Sequence, residues 1–144
     1  MKREYPKHPI AAVGVAVFKD DTVLLIKRSK PPKSFQWSIP GGAQKLGEPL
    51  KKTAKREIFE ETGITITNLK LIDAIDYINK DTQGNIEYHY SLIDYRADYA
   101  DGELNPGDDA IEAKWVTIDD LIDYNLWSET SELIIKAVNG KLVD

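Results

Sequence analysis

The chain has no cysteine in its 144 residues, which excludes disulfides and thiolate metal ligands together. It has no excess of positive charge. Its formal net charge of −5 is the opposite of what a general nucleic-acid binder carries. It also lacks a long apolar run. Met1-Lys2-Arg3 followed by apolar residues 11–18 has the outline of a signal peptide, but Lys19-Asp20-Asp21 follows directly, with no small-residue cleavage site. No stretch approaches transmembrane length. A G-x-S-x-G turn is missing as well, so no protein nucleophile is legible. What remains is ordinary for a globular enzyme, 42% apolar and 30% charged, and long enough for one domain spanning residues 1–144. The expectation is a cytoplasmic protein with a small-molecule partner and neither nucleic acid nor membrane; a homodimer stays open.

What the chain does have is a concentration of negative charge. In Arg56-Glu57-Ile58-Phe59-Glu60-Glu61 the three glutamates stand at i, i+3 and i+4, which on a helix puts them on one arc. Like charges at this spacing repel by a few tenths of a kcal/mol per pair. One reading is a solvated acidic face. The other is a site for a hard cation, Mg²⁺ or Mn²⁺, which takes carboxylate oxygens, water and substrate phosphates. The flanks favour the second. Trp37-Ser38-Ile39-Pro40-Gly41-Gly42 brings backbone without side chains close to the site. Pro49 suits a first helical turn, and Leu50, Ala54 and Ile58 form an apolar stripe with Lys51, Lys52 and Lys55 facing outward. Gly63 is the expected C-terminal stop, with Ile64 packing back.

Residues 42–64 resemble the Nudix box, the signature of the Nudix hydrolases. Its pattern is matched without departure at Gly42, Glu48, Arg56, Glu57, Ile58, Glu60, Glu61, Gly63 and Ile64. The preceding WSIPGG is similar to the family's usual lead-in, and the wider chain looks like the compact bacterial ADP-ribose pyrophosphatase-like or MutT-like branch. The resemblance implies an α/β/α Nudix sandwich, a mixed sheet flanked by helices. It also implies that the Gly41 carbonyl joins Glu57, Glu60 and Glu61 around Mg²⁺ or Mn²⁺, with Glu48 able to join them.

The pattern of the remaining chain fits such a fold. Residues 11–18 and 23–27 read as a hairpin, 37–39 as a short strand, and 64–72, 74–78, 86–95 and 113–117 as further strands. Residues 101–109 read as a loop, 119–124 as a short helix, and 128–138 as a final helix capped by Ser128 and stopped by Gly140.

Glu57 and Glu61, nearly aligned on the helix, are the best direct ligands; Glu60 either binds a second ion or accepts a proton from water. Arg56, four residues before Glu60, is placed to orient a box carboxylate through a charge-assisted bond. Lys27, Arg28, Lys30 and Lys33 form the densest basic cluster, either a field that draws in a polyphosphate or a solvated strand end. Arg28 and Lys30 are the substrate-binding candidates there. Asp108, Asp109 and Glu112 lie where family members place a further ligand or general base, and Asp109 is the choice among them. Trp37, Tyr88, Tyr90 and Trp127 are candidates to stack on a nucleobase or to be core, with Trp37 and Tyr88 preferred; His89 reads as structural.

Three functions compete. The first is metal-dependent hydrolysis of the pyrophosphate in a nucleoside diphosphate linked to another moiety, ADP-ribose-like compounds leading, by water attack at phosphorus. The second is a nucleoside triphosphate pyrophosphatase. The third is a catalytically silent nucleotide-binding regulator, disfavoured because the box is intact. Subgroup markers do not decide between the first two. Ile78, Asn79 and Lys80 stand where some ADP-ribose hydrolases carry proline and diadenosine polyphosphate hydrolases tyrosine, and the SQPWPFPxS phrase of NADH pyrophosphatases is missing.

Overall fold

β1 (Ile10–Lys19) and β2 (Thr22–Arg28) form the expected hairpin, turned at Asp20, whose φ of 54° is a left-handed conformation that aspartate tolerates. The computed structural model describes residues 3–32, 34–140 and 142; Met1, Lys2 and Lys33 of the sequence expectations lie outside them. β1 stays with β2 only at Phe18↔Val23 and Lys19↔Thr22, and then the two strands diverge. Two short strands fill the opening: β3 (Trp37–Ser38) pairs with β2 and β4 (Gly41–Ala43) pairs with β1.

Among the described residues, seven strands make one mixed sheet. β6 (Ile86–Asp101) lies parallel to β1, from Ile10↔Tyr90 to Phe18↔Asp98. β5 (Thr65–Lys80) pairs antiparallel with β6, and β7 (Ala110–Thr117) with the far side of β2. The two strands expected at 64–72 and 74–78 are therefore one, with a register shift between Leu71 and Asp73 where the alternation breaks. β6 also runs past its expected end at residue 95.

Both faces of the sheet are covered, which is why β1 is apolar almost without alternation. Val13, Val15 and Val17 face α1 (Leu50–Thr62) in a core with Leu24, Ala54, Ile58 and Tyr95. Ala16 and Phe18 face α2 (Ser128–Asn139) in a second core with Leu25, Leu133 and Ile134. The 3₁₀ helix Ile118–Tyr124 stands where a short helix was expected. Pro49 is the N-cap of α1, in extended conformation, one step before the expected place. Ser128 does not cap α2; Trp127 holds that position and the Ser128 hydroxyl bonds Glu129. No helix among the described residues is long and apolar enough to cross a membrane.

Candidate active site

Arg56 organises the box. Its Nε donates to Glu48 Oε2 at 2.8 Å and its Nη2 to Glu48 Oε1 at 3.0 Å, a two-pronged pair. Nη2 also donates to the Ala43 carbonyl at 3.1 Å. Nη1 reaches Glu57 Oε1 at 2.7 Å and Glu60 Oε2 at 3.3 Å. One guanidinium thus ties the loop, β4 and two helix carboxylates together, a larger part than the single pair the spacing suggested. Glu48 closes the loop onto the helix, since Thr53 Oγ1 also donates to it at 2.7 Å. Arg56 and Thr53 hold its carboxyl well below the usual carboxylate range. The Glu57 side chain is 12% exposed; burial pushes its carboxyl up, and Arg56 offsets part of that.

Glycine 42 makes room for this arrangement. A Cβ there would overlap the whole Glu57 carboxyl group and lie only 2.6 Å from its Oε1. At Gly41 a Cβ would run into the Val13 carbonyl and come within 2.9 Å of the Gly14 Cα. Position 41 can therefore lie against β1 only as glycine, and a segment of low strand propensity, expected as loop, is a strand.

The third acid comes from the 102–109 loop. Gly107 N–H donates to the Glu61 carbonyl and Asn105 N–H to the Thr62 carbonyl, each at 2.9 Å, satisfying carbonyls that the end of α1 leaves free. The chain then turns at Asp108, φ 50°, over the helix. Oxygens of Glu57, Glu60 and Asp108 lie within 4.8 Å of one another. Three converging hard oxygens with one arginine as counter-charge suit Mg²⁺ or Mn²⁺.

Asp109, the acid preferred from sequence, points elsewhere. Lys30 Nζ lies 2.9 Å from its Oδ1, and its carbonyl accepts from Ser29 N–H and Oγ. Adjacent aspartates in a turn diverge, and sequence alone does not say which one faces the helix. Glu61 also stands apart from the three-acid cluster. It is 2% exposed and accepts from Gly41 N–H at 2.8 Å. Burial pushes its carboxyl up to about 8, against the pull of that hydrogen bond.

Beside the box an open cleft of about 140 Å³ runs between the sheet and α2. Gly41 and Gly42 line its end next to the box; Arg3 and Arg28 also line it. Its floor carries Ile75, Tyr77, Tyr90, Leu92 and Asp94, and its wall Trp127, Thr130 and Leu133. Of the basic cluster, Arg28 lines the cleft, while Lys27 pairs with Glu112 at 3.5 Å and Lys30 with Asp109.

Trp37 and Tyr88, expected to stack on a base, are not among the lining residues. Trp37 meets Tyr124 edge to face at 5.2 Å, with Lys114 over its ring. Tyr88 is buried with Ile10, Ala12 and Ala43. The aromatic rings of the cleft are Tyr77, Tyr90 and Trp127, the first and last edge to face at 5.5 Å. Sequence reasoning passed over Arg3, Tyr77 and Asp94. The available signal was Asp94 as a lone acid two residues beyond Leu92 on the same strand face.

Comparison with known proteins agrees with this architecture. A family model for the NUDIX domain matches residues 8–137. An ADP-ribose pyrophosphatase of Methanocaldococcus jannaschii is 35% identical over 114 residues, 79% of this chain and 65% of the relative. An NAD-capped RNA hydrolase NudC of Vibrio vulnificus is 31% identical over 108 residues, 74% of this chain and 38% of the relative. The chain thus spans under two thirds of the length of either. A MutT NUDIX hydrolase from Burkholderia pseudomallei superposes with a TM-score of 0.78 at 29% identity, covering 90% of this chain and 98% of that one. With the box geometry, the sheet and the family model in agreement, the chain belongs to the Nudix family.

Proposed function

We propose that the protein hydrolyses the pyrophosphate bond of a nucleoside diphosphate linked to a second moiety, with ADP-ribose-like compounds as substrates, and that it needs Mg²⁺ or Mn²⁺. The observation that carries this reading is the convergence of Glu57, Glu60 and Asp108 at the end of a cleft lined by Arg28, Arg3 and aromatic rings. Glu57, Glu60 and Asp108 would hold the ion, with Glu61 and the Gly41 carbonyl as further donors. Bound there, a divalent ion supplies positive charge against the phosphoryl oxygens and lowers the cost of deprotonating water.

The chain's own groups do the rest. Arg56 fixes the Glu57 and Glu60 carboxylates. Arg28 and Arg3 attract and orient the phosphates. Glu60, with its side chain 40% exposed, is the acid best placed to accept a proton from an attacking water. The loop acid beside it is Asp108 rather than Asp109. The ADP-ribose preference rests on the archaeal relative. The likeness to a MutT hydrolase supports nucleoside triphosphates as the second reading.

A single turnover in ¹⁸O-water with Mg²⁺, followed by mass spectrometry, tests the reading. ADP-ribose should give AMP and ribose 5-phosphate with label on one phosphate only, and EDTA should abolish turnover. A triphosphate giving a nucleoside monophosphate and pyrophosphate at a higher kcat/KM supports the second reading. Label in a sugar hydroxyl, or full activity of metal-stripped protein in chelator, overturns the proposal.

A further inference from the structure

The box does not account for Asp94. It lies in the middle of β6, 2% exposed, and its Oδ2 has no hydrogen-bond partner among the described residues. A buried polar group left unpaired keeps its full desolvation cost, so a fold gains nothing by keeping one. The neighbourhood nevertheless preserves it. Gly14 faces it across the parallel pair, and a Cβ at that position would overlap Oδ1. Arg96, two residues along the same face, gives its guanidinium to the Ala137 carbonyl at 2.6 Å and the Phe18 ring at 4.2 Å. Asp73, the register partner on β5, is paired with Lys136 at 3.1 Å. Burial, and the charge of Asp73 after it, push the Asp94 carboxyl up to about 7.

The orphaned carboxyl lines the cleft. Tyr90, Leu92 and Asp94 succeed one another on one face of β6, and Asp94 is the one acid among the described lining residues. A planar ring lying on Ile75, Leu92 and the aromatic side chains meets an apolar surface with a single unpaired acceptor in it. Such a surface rejects a ligand that has no donor to offer, because the acceptor then stays unpaired in the complex.

Resting on the nucleotide reading above, we propose that Asp94 is a specificity-determining residue, which accepts a hydrogen bond from the amino group of the substrate's nucleobase as the ring lies in the cleft. Its other requirement is Gly14, which keeps the carboxyl in place. Among the described residues no hydrogen bond joins the carboxyl to the box, so it acts on which substrate is bound and not on bond cleavage.

The test is a two-by-two comparison of kcat/KM, with ADP-ribose and its analogue lacking the 6-amino group as substrates and the wild type and Asp94→Leu as enzymes. The wild type should prefer ADP-ribose by about tenfold to a hundredfold, and Asp94→Leu should treat the two alike. Asp94→Asn, which keeps an acceptor carbonyl, should keep the preference, and Asp94→Ala serves if leucine does not fold. An amino-group preference that survives in the folded Leu or Ala variant overturns the proposal. So does loss of discrimination against 2′-deoxyribose analogues instead, which would assign the acceptor to the sugar. If the wild type hydrolyses neither compound, it is the nucleotide reading itself that fails.

Discussion

Gly41 and Gly42 are adjacent, yet alanine at each should fail in a different way. At Gly42 the added methyl would meet only the end of a side chain, the Glu57 carboxyl, whose Oε1 would be 2.6 Å away where non-bonded atoms prefer ~3.5 Å or more. The carboxyl must retreat by about an ångström, and the 2.7 Å bond from Arg56 breaks. A hydrogen bond to a charged group contributes about 1.5–3 kcal/mol. Gly42 is not among the residues of positive φ, so the stiffer unfolded chain returns ~0.4–1 kcal/mol. The net loss is about 1–2 kcal/mol, a fall of several degrees in Tm. Activity should fall much further, by roughly a hundredfold, because a carboxylate of the cluster is about 1 Å out of place. At Gly41 the methyl would meet the Val13 backbone, which cannot step aside without breaking the β1–β4 pairing. Gly41→Ala should lose most of its folded population. Melts followed by near-ultraviolet circular dichroism, paired with initial rates on ADP-ribose, read both outcomes. Wild-type rates in Gly42→Ala, or a wild-type melt in Gly41→Ala, would refute the reasoning.

Two further outcomes follow from the acids. Asp108→Asn should weaken Mn²⁺ binding measured by calorimetry and lower kcat by at least tenfold, whereas Asp109→Asn, which loosens Lys30, should change KM more than kcat; the reverse order would restore Asp109 to the site. Asp94 should make stability depend on pH: its carboxyl is held at about 7 in the fold against an ordinary 3.8, so the folded state binds more protons between about pH 4 and pH 7 and stability falls as pH rises through that window. Asp94→Asn should remove that slope and gain stability at pH 8 relative to pH 4, with roughly 4 kcal/mol as the ceiling; denaturant melts at the two pH values showing equal differences would contradict it.

Much of this was legible in the sequence, for reasons that are local. The stripe of Leu50, Ala54 and Ile58 and the stop at Gly63, φ 76°, depend on nothing beyond α1 and its next residue. The hairpin at Asp20 is equally local. What escaped depended on distant strands. Gly41–Ala43 became β4 because β1 leaves β2 and exposes an edge, which no property of two glycines announces. Asp108 rather than Asp109 faces the box because Gly107 is tied to the end of α1, and an Asp-Asp pair carries no mark of which member turns. Trp37 and Tyr88 look like stacking residues by type, but strand register sends Trp37 to Tyr124 and Tyr88 under β4.

The parallel pairing of β1 with β6 has a consequence for the order of assembly. Every pair from Ile10↔Tyr90 to Phe18↔Asp98 joins residues 80 apart in sequence, whereas the β1–β2 and β5–β6 hairpins close across short turns. Contacts between residues so far apart form late, after local elements have paid their own loop entropy. The floor of the cleft, and the meeting of Gly14 with Asp94, belong to this last closure. The Val15 N–H donates to the Pro40 carbonyl, so by alternation it is the amides of Gly14 and Ala16 that face β6. These should exchange with deuterium only through global unfolding, and a chain that has folded at all will have folded its cleft.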